Sequence, residues 1–322
     1  MLPWPGRAEE PIRLAVMPWL TSAPLLLALD SGHFERAGLT VEVVPQTRSL
    51  SAIPPLAAGK LDVLAAQVTP GLVNVIHRGA DVRVVAARAY YGDTGCVSSA
   101  FVARADLLDS GRLASPADLA GLRLAADRSS AATYNTAMLL AAGGLSLEDV
   151  ELVTVTVPLT ADALANGRLD VSGASEPWLL RARAAGARVW LETRQILPDY
   201  QYSHLLFGPR LLRQAPDAGR RFVAAYLEGV RQYREEGKSP RNLEILARHT
   251  GHSTADLEAM CWPPISADGV VDVDQLERYQ RWAKARGLID AIVAPERLVD
   301  GRFLPSPAGG TAAATREPGG AP

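Results

Sequence analysis

Aromatic, hydroxyl and amide side chains gather in a few short segments of a chain whose other runs are rich in Leu, Ala and Val. These segments are Pro18-Trp-Leu-Thr-Ser22, Gln46-Thr-Arg-Ser49, Gln67-Val-Thr69, Tyr90-Tyr-Gly-Asp93, Asp127-Arg-Ser-Ser130 with Thr133 and Tyr134, Ser175-Glu-Pro-Trp178 and Asp199-Tyr-Gln-Tyr202. Aromatic faces with a few placed polar groups make a pocket that holds a small organic molecule by contact and hydrogen bonding. Arg128-Ser-Ser130 stands where a helix is expected to begin, and the free N–H groups and hydroxyls there can hold an anionic or carbonyl group. The plain alternative is N-capping by Ser129 or Ser130, and one residue can do both. Trp19 and Trp178 lie in comparable segments and are expected to face each other, with packing between domains as the alternative. Glu176, beside Trp178, is either a ligand acceptor or half of a salt bridge.

Signs of catalysis are few. No dinucleotide fingerprint, phosphate loop or His-Glu-x-x-His motif occurs, and no nucleophile elbow. Asp93, Asp127 and Glu176 could form an acid–base pair, although nothing in their spacing requires one. Of the five histidines (His33, His77, His204, His249, His252) only the last two are near neighbours. They sit at an expected helix end, where a cationic imidazole is a better reading than a metal ligand. No catalytic residue, cofactor or metal is therefore expected. Cys96 and Cys261 are too few for a disulfide framework and too far apart for a metal motif. They are read as small buried hydrophobes rather than a bridge.

The formal net charge of −2 over 322 residues argues against a nucleic-acid partner. No run approaches the ~20 apolar residues of a membrane helix. The first residues show no secretory n- or h-region, so the expectation is either a cytosolic protein or an export signal outside this chain. The Pro-, Gly- and Ala-rich stretch 305–322 has little to bury and is expected to be disordered.

The elements that must position these segments repeat. Leu56-Ala-Ala-Gly-Lys-Leu-Asp-Val63 returns as Leu164-Ala-Asn-Gly-Arg-Leu-Asp-Val171, identical at six of eight positions. Ile12–Val16 is echoed by Leu122–Ala126, and Arg78–Val85 by Ala185–Leu191. Two units of about 75 residues thus share one order of elements, which implies two similar lobes with a cleft between them. Strands are expected at 12–17, 39–44, 62–66, 82–87, 122–126, 150–155, 170–175 and 188–192, alternating with helices as in parallel βαβ units. The aromatic and polar segments named above then fall at the carboxyl ends of strands, where open parallel sheets bind ligands. Short extended runs at 96–103 and 203–207 are expected to cross between the lobes as a hinge. After Pro209 the pattern is helical, with Phe222, Val223, Tyr226, Leu227, Val230 and Tyr233 on one face and Leu276, Tyr279 and Trp282 on another. These faces are read as core, packed back on the first lobe. The expected division is 1–95 with 206–304 as lobe one and 96–205 as lobe two.

The segments Met17–Ala28, Gly32–Val43, Leu56–Val63, Gly79–Val85, Ser115–Gly121, Glu176-Pro-Trp178, Gly269–Asp272 and Gly287–Asp290 resemble the substrate-binding proteins of ABC importers for sulfonates, nitrate and thiamine-precursor pyrimidines. The resemblance spans about residues 12–304. It implies a two-lobed α/β type II periplasmic-binding fold that closes on a ligand and presents it to a membrane permease, outside the cytoplasmic membrane. It places ligand contacts on Trp19, Thr21, Ser49, Gln67, Thr69, Tyr90, Ser129, Ser130, Thr133, Glu176 and Trp178. The strand-end reading reaches the same segments and adds Tyr202. The related pyrimidine-forming suicide enzyme has a cysteine cluster that is missing here. The function expected is a non-catalytic solute-binding protein, a monomer by preference. Alternatives are a cytosolic enzyme of this fold, such as a lyase or dehydratase of a small aromatic acid, and a ligand sensor. The aromatic segments favour an aromatic or heterocyclic ligand, while Arg128 and the hydroxyls permit an acidic group.

Overall fold

The computed structural model describes residues 10–45, 49–126 and 130–305. The first unit runs β1 (Ile12–Val16), α1 (Ala23–Asp30), α2 (His33–Arg36), β2 (Val41–Pro45), α3 (Ser49–Ala57), β3 (Val63–Ala66), α4 (Pro70–His77) and β4 (Arg83–Ala87). The second runs β5 (Ser99–Ala103), α5 (Ala105–Asp109), β6 (Arg123–Ala125), α6 (Ala132–Ala142), β7 (Glu151–Val153), α7 (Thr160–Ala165), β8 (Val171–Ser175), α8 (Trp178–Ala184), β9 (Arg188–Glu192) and α9 (Thr193–Ile196). The chain then returns as β10 (His204–Phe207), followed by α10 (Pro216–Glu236), α11 (Pro240–Thr250), α12 (Thr254–Ala259), α13 (Val273–Ala285) and α14 (Pro295–Leu298). The stretch 306–322, expected to be disordered, lies outside the described residues.

The two sheets share one topology. Their strand orders are β2-β1-β3-β10-β4 and β7-β6-β8-β5-β9. In each, the first three strands of a βαβ unit pair in parallel, and an antiparallel strand separates the third from the fourth. That inserted strand corrects the expectation of two simple crossing runs. Ser99–Ala103 and His204–Phe207 are interior strands, buried except for the half-buried Ser99. The passages between lobes are instead 88–98 and 197–203. The physical reason is composition: a run such as His-Leu-Leu-Phe gains by burial on both faces of a sheet.

The repeated Leu-Asp-Val triplet has a structural cause. Asp62 is fully buried and accepts from the backbone N, Nε and Nη2 of Arg13 at 2.8, 3.0 and 2.9 Å. Asp170 accepts from the same three atoms of Arg123 at 2.9, 2.9 and 2.8 Å. A second arginine closes on each carboxylate, Arg210 on Asp62 at 3.4 Å and Arg104 on Asp170 at 3.1 Å. Each clamp ties the first strand of its unit to the third, at the end of the sheet away from the cleft. Burial by itself would raise the pKa of Asp170, but the bonds from Arg123 outweigh it and hold the carboxyl below its ordinary value. A depressed folded-state pKa contributes stability above the unfolded Asp value of about 3.9, which is lost as pH falls through the folded value. Asp170→Asn is therefore expected to cost about 2 kcal/mol at neutral pH and to flatten the stability loss below about pH 4. Urea melts of both proteins between neutral pH and pH 3 check this, and parallel pH profiles would contradict it.

The C-terminal helices pack on the first sheet. α10 crosses α1 at Gly229, where an added Cβ would lie 2.1 Å from the Pro24 carbonyl oxygen, so only glycine allows this approach. Phe222 stacks on Phe34 with centroids 4.7 Å apart and meets Phe207 edge-on at 5.9 Å. Tyr226 and Tyr279 are equally buried, as their helical spacing implies.

The cysteines depart from expectation. Cys96 is exposed and forms a disulfide with Cys261; neither is a free buried thiol. The bond fastens the first passage between lobes to the loop after α12, a proximity that exists only in the folded chain.

Candidate functional site

The carboxyl ends of the parallel strands in both lobes point at one seam. From the first lobe come Gln67 after β3, Arg88 after β4 and His204 at the start of β10, whose backbone pairs with Ala66 on one side and Ala87 on the other. From the second come Ala131 and Asn135 at the start of α6. The second passage between lobes supplies Tyr200, Gln201 and Tyr202, and α13 supplies Leu276. With Val68, all of these except Arg88 line one cavity. Its volume is about 10 Å³, room for about one water, so the two lobes are drawn together here.

Aromatic rings form the seam. Tyr91 stacks on Tyr202 at 4.3 Å, and Asn135 Nδ2 donates to Tyr91 Oη at 2.7 Å across the lobes. Tyr134 of α6 reaches Tyr200 at 5.4 Å, Tyr279 at 5.4 Å and Trp282 at 5.2 Å. Tyr279 and Trp282, read from the sequence as core, are thus core residues whose outer edges meet the other lobe. Burial pushes the Tyr91 hydroxyl up to about 12 and raises those of Tyr200, Tyr202 and Tyr134, so all four are neutral phenols.

Two cationic-type side chains lie buried beneath the rings. Arg88 is 1% exposed. Its guanidinium donates to Ser203 Oγ at 3.1 Å, to Ser22 Oγ at 3.3 Å and to the Thr21 carbonyl oxygen. Its Nε has no partner, and among the described residues no carboxylate pairs with it. His204 is also 1% exposed, and neither ring nitrogen has a partner. Burial, helped by the charge of Arg88, pushes its pKa down to about 3, so the imidazole is neutral.

The residues expected at the site are placed as follows. Gln67 and Tyr202 line the cavity. Thr21 meets Arg88 through its carbonyl. Thr69 caps α4, accepting from Leu72 N at 3.2 Å. Tyr90 is half-buried and its backbone bridges Gln201. Ser130 Oγ accepts from Ala132 N at 3.1 Å, and Thr133 is buried in the first turn of α6. Glu176 accepts from Leu180 N at 3.0 Å and from the backbone of Cys261, while burial raises its pKa. Trp178 begins α8 with Arg181 over its ring at 4.9 Å, and Trp19 precedes the turn Leu20–Ser22, half-buried. Ser49 starts α3; Ser129, with Arg128 and Asp127, lies outside the described residues. Asp93 is exposed beside Arg194 at 3.6 Å. His249 sits at the end of α11 and pairs with Asp30 at 2.7 Å. A wider recess of about 520 Å³ at Arg104, Gly167 and Gly186 lies at the opposite end of the second lobe. Sequence reasoning missed Arg88, Asn135 and His204. A clue existed for two of them, since Arg88 ends a buried Val-Val-Ala-Ala run and His204 opens the apolar return strand.

Comparison with known proteins agrees with this architecture. The family model described as NMT1/THI5 like matches residues 19–238. The chain belongs to the NMT1/THI5-like family. No curated protein matches it. Among solved structures, this NMT1/THI5-like chain is similar to the periplasmic aliphatic sulphonate binding protein SsuA from Escherichia coli. The TM-score is 0.74 at 16% identity, covering 96% of this chain and 97% of that one. It is similar to the ligand-binding component of an ABC-type import system from Staphylococcus aureus, with TM-score 0.71, 14% identity and coverage of 92% and 98%. It is also similar to the desulfurization enzyme DSZB, with TM-score 0.64, 18% identity and coverage of 92% and 97%. At such identities the shared property is the fold, two α/β lobes of the periplasmic-binding kind.

Proposed function

We propose that this NMT1/THI5-like chain is the solute-binding component of an ABC importer, which captures a small organic molecule between its lobes and hands it to a membrane permease. The observation that carries this reading is the seam itself: tyrosines from both lobes and both passages meet there, and Tyr200 and Tyr202 line one cavity with His204, whose buried ring nitrogens have no partner. Such atoms are costly to bury, and a ligand that bonds to them while touching both lobes favours the closed form. The aromatic walls suit an aromatic or heterocyclic solute, and Gln67, Tyr202 and the loops around Trp19, Ser129 and Glu176 are its proposed contacts. The neighbours are binding proteins in the main, and a monomer suits a closing cleft. The disulfide fits an oxidising compartment outside the cytoplasm.

An enzyme of this fold is the second reading, favoured by DSZB and by the raised pKa of Glu176. Against it, the disulfide takes both cysteines, and the Glu176 carboxyl is already held by two backbone N–H groups. Small-angle scattering tests capture: the radius of gyration should fall when a solute that raises the melting temperature is added. Unchanged dimensions at saturation would remove hinge closure, and turnover of the solute would favour the enzyme.

A further inference from the structure

We infer that His204 is the residue that sets ligand polarity, contacting the acidic group of an aromatic carboxylate or sulfonate, with Arg88 as the buried charge behind it that makes the cleft prefer an anion. This rests on the solute-capture reading and deepens it. Three observations lead to it.

The first is the cavity. His204 lines it beside Gln67, Asn135 and Tyr202. Its ring is 1% exposed with both nitrogens unpartnered. A buried polar group without a partner is uncommon and calls for one. The Gln67 amide, half-buried on the same wall, has no protein partner among the described residues either.

The second is charge. A guanidinium keeps its proton in proteins, so Arg88 is a cation, and its bonds go only to neutral oxygens. The adjoining groups that could ionise are Tyr202, Tyr226 and His204, all neutral. A buried charge is ordinarily paired, and here no pairing charge stands among the described residues. Arg88 N donates to the Ser203 carbonyl at 2.8 Å, so the cation is fixed one residue from His204. An anion on the cavity side of His204 receives an imidazole N–H and feels the Arg88 field in a medium of low dielectric.

The third is shape. Tyr200 and Tyr202 line the cavity, backed by Tyr134 and Tyr91, and once the lobes part offset stacking on these rings suits a ring attached to the acid.

The test is calorimetric titration of the intact protein with benzoate and benzenesulfonate against benzamide, at constant ionic strength. A charge-assisted hydrogen bond is worth enough that an acid should bind about 30-fold more tightly than the amide. His204→Phe should lose about 30-fold for the acid, while His204→Gln, which keeps an N–H donor, should lose about 3-fold. Arg88→Met should bring the acid-to-amide ratio toward one, and Arg88→Lys should restore the preference. Should Arg88→Met not fold, the His204 pair decides. Benzamide binding as tightly as both acids, or acid binding indifferent to His204→Phe, overturns the inference and leaves solute capture standing. Absence of binding in both series also overturns it; capture itself falls only if a broad small-molecule library leaves the melting temperature and the scattering profile unmoved.

Discussion

Replacing Cys96 and Cys261 together by serine is expected to lower the unfolding free energy by about 4 kcal/mol. The bond closes a loop between residues 165 apart, and the chain entropy released by cutting so long a loop is near the upper end for a single bridge. The melting temperature should fall by roughly 10 °C for a protein of this size. Denaturant melts of the oxidised protein and the double variant measure this, and reductant should bring the first toward the second. A loss under about 1 kcal/mol would mean that the bond contributes little beyond the packing already there.

Tyr134→Ala has the second large effect, and it falls on the seam. Tyr134 is 6% exposed and touches rings from the second passage and from α13. Truncating a buried aromatic costs about 3 kcal/mol, here largely from the closed arrangement, because its partners lie on the other side of the seam. The unliganded variant should therefore be more open, with a larger radius of gyration and weaker solute binding. Tyr134→Phe keeps the ring contacts and should stay near the parent in both. Scattering on the two variants decides. If Tyr134→Ala has parent dimensions and only a lower melting temperature, the ring is packing and not a closing contact.

Much of the fold was legible because it rests on local signals. The apolar runs gave the strands, glycines marked helix ends, and the repeated triplet gave two equivalent halves. The identical strand orders and the paired clamps at Asp62 and Asp170 are what that repetition encodes. The inserted strands were not legible as such. Nothing within His204–Phe207 says that it runs antiparallel between β3 and β4, because that position depends on partners more than a hundred residues away. The site followed the same division. Gln67 and Tyr202 were visible as polar or aromatic residues at strand ends. His204 was not, since a lone histidine at the edge of an apolar run is usually satisfied in the core, and only the fold reveals its two unmet nitrogens. Arg88 looked like one more arginine in an arginine-rich chain until its lack of a carboxylate could be seen. Cys96 and Cys261 meet through tertiary geometry alone.

The antiparallel insertions also set the order in which a growing chain can complete itself. Sheet two draws every strand from 99–192, so it can close as soon as that stretch has left the ribosome. Sheet one cannot, because β4 joins β3 only through β10, which arrives between them. Until then the amino-terminal half holds open edges of the kind that invite wrong pairings. The half synthesised first is thus the last to be finished.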